Sequence, residues 1–153
     1  MTLRATIREE SGDDRSYEAA TPQDIGELVE ALAESGVDDA DIEHADRAER
    51  PEGGPDHVLH AAVRSNGYGY LRYRGPISGA EQVQEPVVPV GHPKSSETTG
   101  TKNARYPATT GLELALFTEA LHEFDATGEL PTCLAWTTEA RIEANAPKPI
   151  ERG

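Results

Sequence analysis

The run Thr110–Trp136, TGLELALFTEALHEFDATGELPTCLAW, constrains the fold more than any other stretch of the chain. Thr110 followed three residues later by Glu113 reads as a capping box, the hydroxyl taking an orphan N–H while the acid reaches back. Leu114, Phe117, Leu121 and Phe124 recur at three- and four-residue steps, which makes one apolar helix face in need of a second layer. Gly128 can adopt the left-handed conformation that ends a helix, and Pro131 cannot continue one. Thr132–Trp136 then has the composition of a short strand and ends on the chain's one Trp. A helix, a tight turn and a strand with a shared apolar face are a unit of helix-on-sheet packing.

Glu123-Phe124, Thr127-Gly128 and Pro131-Thr132-Cys133-Leu134-Ala135-Trp136, in that order, resemble the C-terminal signature of the type-one immunity proteins of bacterial polymorphic toxin systems, a family typical of actinobacteria. The resemblance runs from about Thr21 to Trp136, with the motif residues in its last third; Phe124, Gly128, Pro131 and Trp136 are its structural signature. It implies a cytoplasmic, non-enzymatic protein that binds and neutralises a cognate toxin, most often a nucleic-acid deaminase and less often a nuclease. Where the family often carries a basic residue before the proline, this chain has Glu129-Leu130.

Charge narrows the partner. The chain carries a net −14, distributed as −12 up to Asp56, +3 from His57 to Thr110 and −5 beyond. Such a surface repels nucleic acid and attracts a basic protein over a screening length of about 8–10 Å. The acids expected to meet that partner are Asp38, Asp39, Asp41 and Glu43, with Asp13 and Asp14 next, read as lying in loops near strand ends where a rigid scaffold can present them. Length fits one domain, expected over 1–140, with a frayed tail over 141–153. A hydrophobic fraction of 36% is low for a compact domain and agrees with solvated ends. No run is long and apolar enough to span a bilayer, no secretory leader is visible at Met1–Thr6, and one cysteine forms no internal disulfide, so a reducing cytoplasm is expected.

In chain order, Leu3, Ala5 and Ile7 alternate with polar neighbours as an outer strand would, and Ser16–Ala20 follows a turn as a second one. Thr21-Pro22-Gln23-Asp24 is a helix start, with Ile25, Leu28, Val29 and Leu32 on one face and Ser35-Gly36 at the end. Residues 38–56 read as acidic loop, with pairing possible at Ala40–His44. Val58–Val63 and Tyr68–Arg74 flank the hairpin signal Ser65-Asn66-Gly67. Gln82–Val90, interrupted by Pro86 and Pro89, fits an edge strand at best; His92–Thr110 reads as a long connection. The fold class expected is α+β: a mostly antiparallel sheet of four to six strands with two main helices on one face.

No pattern of catalytic or cofactor-binding chemistry emerges. His57 and His60, with His44 or Asp56, have a spacing that puts the two histidines on opposite sides of a strand, and no second cysteine completes a tetrahedral metal set. Cys133 reads as a small core hydrophobe rather than a nucleophile beside His122 or His60. Tyr68, Tyr70, Arg72 and Arg74 share one strand face that could stack on bases, but the acidic chain opposes phosphate. No cofactor, metal, nucleic-acid or membrane partner is expected. The alternative is a small-molecule-binding or catalytic α+β domain in which His60, Tyr70 and Cys133 converge.

Overall fold

A computed structural model describes residues 2–9, 11–47, 56–75, 86–99, 105–139 and 141. Strands β1 (Leu3–Arg8) and β2 (Asp14–Ala19) form a hairpin, followed by helix α1 (Pro22–Ser35) and strand β3 (Asp39–His44). Strands β4 (Val58–Val63) and β5 (Tyr68–Arg74) make a second hairpin, and β6 (Val87–Pro89) returns beside β5. A small pair, β7 (Thr98–Thr99) and β8 (Arg105–Tyr106), precedes β9 (Leu112–Glu113), α2 (Leu114–Thr127) and β10 (Trp136–Thr138). The main sheet has eight strands in the order β10-β6-β5-β4-β3-β1-β2, with β9 added beside β5, and every pairing is antiparallel.

Alternation decides what each strand buries. Leu3, Ala5 and Ile7, paired with Ala19, Tyr17 and Arg15 on one side and His44, Ile42 and Ala40 on the other, face the helices. Leu59, Ala61, Val63, Leu71 and Tyr73 continue that layer. Against it α1 sets Ile25, Leu28, Val29 and Leu32, and α2 sets Phe117, Ala120, Leu121 and Phe124. Gly69 makes this packing possible, because a Cβ there would overlap the Phe117 ring. The α1 start is as its sequence reads: Thr21 Oγ1 accepts the Asp24 N–H at 3.2 Å and Asp24 Oδ2 accepts the Thr21 N–H at 3.1 Å. Both helices end on a left-handed glycine, Gly36 and Gly128, each at φ 69°.

The α+β class and the two helices on one face are as expected, but several local expectations are corrected. The sheet is wider than four to six strands because short pieces, β6, β9 and β10, extend it. β1 is interior, since β3 pairs along its far side, and β6 lies between β5 and β10 rather than at an edge. Helix α2 begins at Leu114, and Glu113 makes no capping bond. Thr110 is buried and donates its hydroxyl to the Pro107 carbonyl at 2.6 Å, while Leu112-Glu113 pairs with Tyr68-Gly69; strand pairing wins over the capping box. Thr132–Leu134 is a turn, so the strand near the Trp is Trp136–Thr138. Almost all of the expected tail, and much of the 38–56 loop and of Gln82–Val90, lie outside the described residues. No helix among the described residues is long and apolar enough to cross a membrane.

Candidate functional site

With both helices on one side, the other face of the sheet is covered, among the described residues, only at one end. There Tyr106 packs on Ala62 and the fully buried Tyr70, and its hydroxyl donates to Asp39 Oδ2 at 3.4 Å. Arg64 binds this roof to the body, donating to Thr98 Oγ1 at 3.2 Å and to the Thr99 and Asp38 carbonyls at 3.0 Å each. Towards the opposite end the face opens into a depression of about 440 Å³, lined by Arg4, Thr6, Arg8, Glu18, Asp41 and Glu43 among others.

Register builds the chemistry of this open face. The polar members of β1, Arg4, Thr6 and Arg8, lie opposite Glu18, Ser16 and Asp14 of β2 and Glu43, Asp41 and Asp39 of β3. Arg8 donates from Nε to Asp41 Oδ2 at 2.6 Å and from Nη1 to Asp14 Oδ2 at 2.9 Å. The other Asp41 oxygen is held by His60 Nδ1 at 2.7 Å, so both carboxylate oxygens are occupied. Burial would raise the Asp41 carboxyl, but the bonds from His60 and Arg8 outweigh it and hold the group below its ordinary value. Arg4 meets Glu43 at 3.4 Å, and further along Arg72 meets Glu139 at 3.2 Å. On β1–β3 this face carries five acids against two arginines.

Of the six acids singled out in the sequence, Asp13 and Asp38 lie beside strand ends as expected, whereas Asp14 opens β2 and the other three are strand residues. Asp39, Asp41 and Glu43 sit on a central strand, with Asp39 only 2% exposed. DADIEH resembles a solvated loop because its buried side is small (Ala40, Ile42, His44) and its charged side finds partners on β1, which sequence distance conceals. Asp38 is half-buried next to β3, while Asp13 and Asp14 are exposed beside the β1–β2 turn. The structure brings Asp14, Asp41 and Glu43 onto one face and adds His60, which the sequence had suggested only for the alternative reading, and Arg4, Arg8 and Glu18, which it had not; for Arg4 and Arg8 the alternation of LRATIR was the available signal. A further group of acids lies on α1. α1 exposes Glu27, Glu30 and Glu34 and contains no Lys or Arg, and no described ion pair involves these three.

The residues of the alternative reading do not converge. His60 lies on the open face bound to Asp41, Tyr70 is sealed beneath Tyr106, and Cys133 packs against the core on the helix side. Burial and the neighbouring Glu123 carboxylate push the Cys133 thiol up to about 11, the opposite of a nucleophile's setting. Among the described residues no three His, Cys, Asp or Glu side chains are grouped to share a metal ion.

The signature residues close on one another. Glu123 of α2 accepts the N–H of Thr132 at 2.5 Å, its hydroxyl at 2.8 Å and the Cys133 N–H at 3.1 Å. Trp136 Nε1 donates to the Pro131 carbonyl at 2.8 Å, and Gly128 N–H to Phe124 at 2.8 Å. The motif is thus a self-satisfied helix-to-strand connection on the side away from the open face. A family model described as Immunity protein Imm1 matches residues 13–138, spanning both the open face and this connection. The chain belongs to the Imm1 immunity protein family. No curated protein and no solved structure matches it.

Proposed function

We propose that this Imm1 protein is a stoichiometric cytoplasmic inhibitor of a cognate toxin that attacks nucleic acid, a deaminase or a nuclease, and that it occupies the toxin's basic substrate cleft. Family membership supports the immunity role. The observation that carries the mode of binding is the open face of β1–β3, where acids outnumber arginines and hold one another in fixed rotamers. A toxin that binds polyphosphate needs a cationic cleft. A preformed acidic sheet face meets such a cleft without a large ordering cost, while Glu27, Glu30 and Glu34 add long-range attraction. Asp13, Asp14, Glu18, Asp41 and Glu43 are the contact acids of this reading; Asp38 and Asp39 support the strand from beneath the roof.

The test is association of the chain with the toxin domain encoded beside it, followed at several salt concentrations. Glu18→Gln with Glu43→Gln, which spares the Asp41 lock, should slow association roughly tenfold at low salt and flatten its salt dependence. Unchanged association rates at every salt concentration would overturn the placement of the contact on this face.

A further inference from the structure

A buried cluster at the far end of β3 sits between the open face and the signature residues Phe124 and Gly128, and the proposed binding makes no use of it. The His57 side chain is fully buried, stacked 6.3 Å from Tyr73 and edge-on to Phe124 at 5.7 Å. Its Nε2 accepts the backbone N–H of His44 at 2.8 Å, so that nitrogen carries no proton. Nδ1 therefore holds the ring proton and donates it to Asp56 Oδ1 at 2.6 Å. His44 accepts the Asp46 N–H on Nδ1 at 3.2 Å, which leaves its Nε2 to donate to the Asp125 carbonyl at 2.8 Å, in the last turn of α2. A single line of contacts, Asp56–His57–His44–Asp125, ties the entry of β4 through the end of β3 to the helix.

We infer that His57 is the trigger of an acid-operated latch: a second proton, taken up on Nε2, opposes the His44 backbone N–H and frees the last turn of α2 from the sheet. Two donors cannot share one hydrogen-bond position, and the His57 ring is fully buried, so its protonated Nε2 is not simply handed to bulk water. Burial, partly offset by the bond to Asp56 and reinforced by the Arg47 charge, holds the imidazole below its ordinary 6.5. The charged groups facing it are Asp56 on its own segment, Arg47 beyond β3 and Glu43 on β3, with Tyr73 on β5. Arg47 is itself fixed by donating to Tyr73 Oη, the Gly128 carbonyl and Asp56. From α2 come Phe124 and Asp125, whose buried Oδ1 has no hydrogen bond among the described residues. Because the closed form binds the proton less readily than the open form, acidification below 6.5 favours opening, by at most about tenfold per pH unit, until the closed form is itself protonated. Asp56, held below its ordinary 3.8, stays ionised in that window.

The whole chain suffices for the test, without any toxin, so the outcome is independent of the proposed inhibition. Native-state hydrogen exchange at pH 7, 6 and 5, corrected for intrinsic rates, reads the opening constants of the His44 and Gly128 amides against those of α1, and imidazole nitrogen shifts read His57. The inference expects Nε2 to take up its proton at lower pH than a free imidazole, more than about twofold more opening at the latch between pH 7 and 5, and no matching change in α1. His57→Gln, which keeps a neutral donor and acceptor, should abolish the pH slope whatever it does to the baseline. A latch opening constant that stays within about twofold from pH 7 to 5, the same slope in His57→Gln, or a His57 that is cationic at pH 6.5 while the latch amides stay protected would each overturn it.

Discussion

Replacing Glu123 by Gln tests whether the family signature is a structural device. The carboxylate accepts three hydrogen bonds from Thr132 and Cys133. The amide keeps one acceptor oxygen and turns an NH₂ towards groups that are themselves donors. Bonds to a charged acceptor contribute about 1.5–3 kcal/mol each when buried, but this turn is partly open and water recovers most of the loss. A net destabilisation of roughly 1–2 kcal/mol remains, which for a chain of this length lowers Tm by roughly 3–7 °C. The pH dependence has a definite sign. The Thr132 N–H is the largest influence, opposed by burial and helped by the Thr132 hydroxyl and Cys133, and together they hold the Glu123 carboxyl below its ordinary 4.5. A lowered carboxyl contributes stability that is complete above its unfolded value and lost as pH falls through its folded value. In urea titrations the gap between the wild type and Glu123→Gln should therefore be constant from pH 8 to about 5.5 and shrink below 4.5. Toxin inhibition by the folded variant should be intact, since Glu123 lies on the helix side. Equal midpoints at pH 7, a gap that persists undiminished at pH 4, or selective loss of inhibition would refute the reasoning.

Two further outcomes follow from the packing. Gly69→Ala forces a methyl into the Phe117 ring, so thermal or urea unfolding should show a loss of about 1–3 kcal/mol, larger than for Gly26→Ala, where nothing lies within 4 Å. With its thiol pushed up to about 11 from 9.0, Cys133 should be alkylated by iodoacetamide at pH 8 about a hundredfold more slowly than a free thiol of ordinary acidity, as mass spectrometry over time will show.

Local chemistry made several elements legible before any coordinates. Thr21-Pro22-Gln23-Asp24 specifies a helix start because its caps are satisfied within four residues, and Ser65-Asn66-Gly67 specifies a hairpin because the turn sets its own geometry. Gly128 and the face of Phe117, Leu121 and Phe124 are fixed in the same way by residues one or two turns apart. The order of the signature residues from Glu123 to Trp136 resembles the immunity family, and the family match bears that out.

What the tertiary structure alone decided is which groups meet across the sheet. Asp41 is an acid in an acidic run until β1 supplies Arg8 and β4 supplies His60, residues 33 and 19 positions away. Glu123 becomes the anchor of a turn nine residues on, and Thr110 gives up a cap because Leu112 gains a strand partner in Gly69. Sequence patterns report bonds whose donor and acceptor are close along the chain. Register, burial and the protonation state of His57 depend on groups brought together only when the sheet closes, and their energies are absent from any local window.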